Sequence, residues 1–117
     1  MKQITITLLV FFTMSMAFAQ DKYQMKKINY FVDAAQKEFN LNKNQTKELL
    51  DNRTAYFNDY QKVFSAAKNG EISQSEKKTQ VNEVNNKFNK YFNELTGKTW
   101  DELKQFNDRV REEMKEL

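Results

Sequence analysis

The side chains that could do chemistry in this sequence are carboxylates, amines and aromatic rings; there is no His and no Cys. Acid–base catalysis near neutral pH most often uses His, and nucleophilic catalysis most often pairs Ser or Cys with it. The acids that stand side by side are Asp101/Glu102 and Glu112/Glu113. Neighbours on a helix point about 100° apart, so neither pair reads as a catalytic dyad. No acid falls on an apolar stripe, where burial would raise its pKa. The pairs read instead as solvated helix face, with Asp101 and Glu102 complementing a helix N-terminus. The expectation is a protein that is not an enzyme and carries no cofactor.

Metal chemistry is equally thin. Soft metals take thiolate, imidazole or thioether ligands. Beyond residue 19 only Met25 and Met114 remain, far apart in sequence. A calcium loop is an acidic, Gly-containing stretch of about 12 residues. The segment Asn69 to Gln80 has Glu71 and Glu76 but also Lys77 and Lys78. No metal site is expected. Nucleic-acid binding would need clustered Lys and Arg on one face. The formal net charge is only +3, so no nucleic-acid partner is expected. Lys77, Lys78, Lys87 and Lys90 still make one region basic. That strip is a solvated helix face, or a surface turned to a client or a membrane.

The aromatics are the most informative excess: 16 in the chain, 13 of them beyond residue 19. Tyr30/Phe31, Tyr56/Phe57 and Tyr91/Phe92 are sequential pairs. Both members of such a pair cannot point into the centre of one narrow core. The Tyr of each pair can lie at the edge, with its ring covered and its hydroxyl wet. Three such edges suit a dimer seam or an adaptable client surface, and the spacing does not choose between them. The face expected to bind a client or partner is Arg53, Tyr56, Tyr60, Lys87 and Tyr91.

Those residues need elements to carry them, and the pattern is that of an all-α chain. Pro is absent and Gly occurs twice, against base rates of about 5% and 7%. A first helix is expected from about Lys22 to Glu38, with Ile28, Phe31, Val32, Ala35 and Phe39 on one face. A second runs from Lys43 to Lys68. It opens on a capping box of Asn42 and Gln45, and Asn69-Gly70 stops it. Its stripe is Leu49, Leu50, Arg53, Tyr56, Phe57, Tyr60, Val63, Phe64 and Ala67, and Arg53 breaks the apolar character. A third opens with Ser73 and Glu76 and ends near Leu95 and Gly97, carrying Val81, Val84, Phe88, Tyr91, Phe92 and Leu95. A fourth begins at Thr99 with Glu102 as box partner, and its stripe is Trp100, Leu103, Phe106, Val110, Met114 and Leu117. Short connections favour antiparallel hairpins. A second helix of 26 residues is about 39 Å long, which suggests an elongated molecule or a dimer.

The start of the chain has the layout of a secretory signal peptide. Lys2 supplies the positive region, Ile4 to Met16 is apolar and uncharged, and Ala17-Phe18-Ala19 is a small-x-small cleavage signal. Residues 1–19 are therefore expected to be removed by cleavage at the Ala17–Ala19 signal. That leaves a single helical domain over 20–117, with 98 residues, in the periplasm or secreted. The membrane is then a partner only during export.

Leu41-Asn42-Lys43-Asn44-Gln45 resembles the Leu-Thr-x-x-Gln motif of the LTxxQ family of small periplasmic proteins, the Spy- and CpxP-like group. Asn stands where that motif has Thr, a conservative change for a helix cap. A second copy would fall at Leu95-Thr96, but it lacks the Gln, and Gly97 looks like a helix end. The order of parts is also similar: signal peptide, short first helix, two long helices, a fourth. The resemblance implies an ATP-independent chaperone or stress-response protein working as a cradle-shaped homodimer on unfolded polypeptides. A structural or adaptor bundle with one dedicated envelope partner is the alternative.

Overall fold

The structure is a computed structural model that describes residues 22–117. The expected signal region, with Ala17 and Ala19 of its expected cleavage signal, lies outside the described residues. Four helices follow one another: α1 (Lys22–Phe39), α2 (Lys43–Lys68), α3 (Gln74–Thr96) and α4 (Trp100–Met114). The described residues contain no strand, so the fold is all-α.

Local chemistry sets each boundary. α1 ends in a Schellman turn. Asn40 takes the left-handed conformation at φ 52°, and the Leu41 amide donates back to the Gln36 carbonyl at 3.1 Å. Leu41 is buried beneath that turn. Asn42 then caps α2 with a complete box: the Gln45 amide donates to Asn42 Oδ1 at 2.8 Å, and the Asn42 amide donates to Gln45 Oε1 at 2.9 Å. Gly70, at φ 76°, closes α2 in a second Schellman turn, with the Glu71 amide on the Ala66 carbonyl at 2.9 Å. Ser73 caps α3 through the Glu76 amide, but the box is half-formed. The Glu76 carboxylate accepts from the Ser73 hydroxyl at 3.2 Å rather than from the cap amide. Thr99 and Glu102 form a full box at α4.

The core is an aromatic cluster on four helices. Ile28, Phe31, Val32 and Ala35 of α1 meet Leu49 of α2, Phe88 and Phe92 of α3, and Leu103, Phe106 and Val110 of α4. Phe31 is its hub, with ring centroids 5.9, 5.4 and 5.6 Å from Phe88, Phe92 and Phe106. Edge-on and tilted pairs of this kind add about 0.5–1.5 kcal/mol each beyond area burial.

Two expectations for the fourth helix need correction. Trp100 belongs to the expected buried stripe but is 50% exposed, because it stands about 90° around α4 from the centre of the Leu103, Phe106 and Val110 face, on the side of Lys104 and Arg111. Leu117 lies beyond the last helical residue, Met114, and is 41% exposed.

α2 packs chiefly on α3 and α1, and α4 leans on α1 and α3 through a thinner seam. An ion pair, Arg109 to Glu38 at 2.6 Å, ties α4 to α1. The molecule is elongated, 51 × 34 × 29 Å with a radius of gyration of 16.6 Å. A globular chain of this length would have roughly 12–13 Å. Among the described residues no helix is long and apolar enough to cross a membrane.

Candidate functional site

Arg53 is the residue from which the site grows. It sits mid-way along α2 on the face that meets Phe31 and Phe88. Its guanidinium lies 4.0 Å from the Phe31 ring centroid, 4.5 Å from Tyr56, 4.7 Å from Phe88 and 5.3 Å from Phe57. Its Nε is buried and has no hydrogen-bond partner. Burial pushes the Arg53 pKa down to about 10; Tyr56 opposes that shift and Arg111 adds to it. The group stays cationic at neutral pH. Among the described residues it makes no ion pair. Attraction to ring faces is worth about 0.5–2 kcal/mol per contact and offsets part of the desolvation. The sequence flagged Arg53 as a break in the stripe, and the rings of two other helices explain how the break is tolerated.

Tyr56 continues the cage. Its hydroxyl donates to Asn85 Oδ1 at 2.7 Å, which joins α2 to α3. From there an aromatic ladder runs outward along α2. Tyr60 lies 5.8 Å from Tyr56, and Phe64 4.7 Å from Tyr60. Phe64 is 39% exposed, and Lys77 of α3 places its ammonium 4.2 Å from that ring. The ladder thus runs past the end of the core, onto the part of the α2–α3 hairpin that α4 does not cover.

The expected client face divides into two groups. Arg53, Tyr56 and Tyr60 form one continuous arrangement. Lys87 and Tyr91 lie elsewhere. Lys87 is exposed and approaches Asp59 at 4.0 Å. Tyr91 packs beside Phe88 and faces Glu48, Asp51 and Asn52 of α2. Burial, then the negative charge of Glu48, push the Tyr91 pKa up to about 12, with Asn52 pulling the other way. The helix period explains the division. Lys87 and Asn89 are two residues apart, hence about 200° around α3, and Asn89 is on the side of Arg53.

Sequence reasoning missed what lies on that side. Asn82, Asn86, Asn89 and Asn93 recur at i, i+4, i+7 and i+11, one face of α3. Trp100, Lys104, Asn107, Arg111 and Met114 recur at i, i+4, i+7, i+11 and i+14 on α4. The two polar faces border a pair of adjoining clefts of about 440 and 590 Å³ that share Asn86, Asn89 and Trp100. Arg53 and Phe31 line the first cleft. The helical spacing of the asparagines is the signal for this face in the sequence, a period carried by polar rather than apolar residues.

The motif residues Leu41, Asn42 and Gln45 serve as a buried turn and a cap. Among the described residues no group of three or more His, Cys, Asp or Glu gathers as a metal site, and no polar or charged residue is fully buried. Compared with known proteins, the chain matches no family model, no curated protein and no solved structure.

Proposed function

We propose that this is an exported, ATP-independent chaperone-like or envelope stress-response protein that binds unfolded polypeptides, of the type the Leu41–Gln45 motif resembles. The observation that carries this reading is the ladder of Tyr56, Tyr60 and Phe64, which leaves the core and ends exposed beside Lys77. Aromatic rings supply contact area at low entropic cost, and a charged rim speeds encounter without fixing a register. Arg53 belongs to the inner end of the same ladder. Lys87 and Tyr91 lie off it, so they contribute to a second face or not at all.

The test is suppression of aggregation of a chemically denatured client, without nucleotide, at several-fold molar excess of this protein. Suppression is expected, and the double substitution Tyr60→Ser with Phe64→Ser should weaken it severalfold while the helical signal is retained. No suppression by the unaltered protein would sink the reading. Capture of one stoichiometric envelope partner, with no effect on denatured clients, would favour a dedicated adaptor instead.

A further inference from the structure

The groove between α3 and α4 has polar groups left over at both ends. At one end Arg53 carries a positive charge with a buried, unpartnered Nε. Arg111 lines the same cleft, is close enough to disfavour the charge on Arg53, and makes no ion pair among the described residues. The one carboxylate on that cleft, Asp108, is engaged by Lys104 at 3.3 Å. A charge held off water is normally matched by an opposite charge; Arg53 is such a charge, and Arg111 stands exposed at the rim of the same cleft. Two adjacent guanidiniums without one define a place for a carboxylate, which Arg binds with paired hydrogen bonds. At the other end Asn93 Oδ1 is buried and accepts no hydrogen bond.

Between these ends the lining mixes the asparagine amides of α3 with the charged Lys90, Glu94 and Lys104 and the rings of Phe31 and Trp100. Side-chain amides carry both donors and acceptors, the complement of hydroxyl groups. Asn85 has spent its oxygen on Tyr56, so its amide hydrogens remain to be given. Trp100, half-exposed, offers a flat apolar face where the two clefts meet. On α4 the lining extends from Trp100 to Met114, about 21 Å at 1.5 Å per residue. That is room for a short run of sugar rings. It is not the dry, enclosed pocket of a small apolar ligand.

We infer that the α3–α4 groove binds an acidic glycan, with a uronate carboxylate between Arg53 and Arg111, ring hydroxyls on the asparagine face, and a sugar face against Trp100. This site is distinct from the exposed end of the aromatic ladder and shares Arg53 and Tyr56 with its inner end.

Trp100 is the sole tryptophan, so its fluorescence reports on the groove directly. The protein is titrated at constant ionic strength with tetragalacturonate, maltotetraose, sodium acetate, inorganic phosphate and an acidic peptide. Tetragalacturonate should give a saturable change and maltotetraose little or none. Arg111→Gln should weaken tetragalacturonate binding about tenfold or more, since it removes a charged hydrogen-bonding partner at an exposed position. Asn89→Leu should weaken it as well, while circular dichroism shows both variants folded. The inference is overturned if tetragalacturonate gives no saturable change, if acetate or phosphate matches it, or if the acidic peptide binds more tightly through Arg111. Aggregation suppression measured on Arg111→Gln separates the two proposals. Loss of glycan binding with suppression intact supports separate sites, whereas failure of suppression alone leaves the groove standing.

Discussion

At the scale of single residues, the molecule puts charge where its rings can hold it and hydroxyls where water is scarce. Arg53 is the clearest case, a cation among four rings with no carboxylate beside it. Tyr91 is its counterpart on the other side of the hairpin. Its folded-state pKa of about 12 lies above the ordinary value of 10, so the native state holds that proton more tightly than the unfolded state does. The resulting stability is fully present below pH 10 and is lost as pH rises from 10 towards 12. An ultraviolet titration should therefore include a phenolate forming near pH 12, and Tyr91→Phe should remove that contribution. A titration in which Tyr91→Phe leaves every step unchanged contradicts this placement. Arg53 was legible in the sequence as an oddity on a stripe. Its cage was not, because Phe31 and Phe88 belong to helices whose rotation about their axes no single-helix period reveals. The grouping of Lys87 and Tyr91 with it failed for the same reason.

At the scale of elements, what could be read was local and what could not was relational. Asn42, Ser73 and Thr99 mark helix starts because a cap binds an amide three residues on, and the sequence contains both partners. α2 runs from Lys43 to Lys68, in line with an expected helix from about Lys43 to about Lys68. Trp100 departs from the buried face because it stands about 90° around α4 from the centre of Leu103, Phe106 and Val110, and Leu117 because α4 itself ends at Met114. The two complete boxes and the half-formed one give a graded test. Asn42→Ala should cost about 1 kcal/mol of unfolding free energy, seen in a urea titration. Ser73→Ala should cost less, since its box lacks the reciprocal bond to the cap amide. Equal losses would mean that the reciprocal bond is immaterial.

At the scale of the whole molecule, the elongated shape follows from covering a 26-residue helix with shorter neighbours. The core gathers where all four helices meet, and the far part of the α2–α3 hairpin is left with its ladder partly bare. The seam of α4 has a consequence of its own. Leu103, Phe106, Val110 and the Arg109–Glu38 pair join α4 to the rest, while α2 is flanked by both α1 and α3. Proteins open in cooperative pieces, and the piece with the thinnest attachment opens first. In native-state hydrogen exchange, α4 amides should therefore exchange through a partial opening of lower free energy than the global one that governs mid-α2. Uniform protection across both helices would exclude this order. If α4 leaves as a unit, Phe31, Phe92 and Phe106 are uncovered together, and the groove loses one wall in the same event. The fold would then hold two populations, one with a polar groove and a short ladder, the other with a broad apolar face.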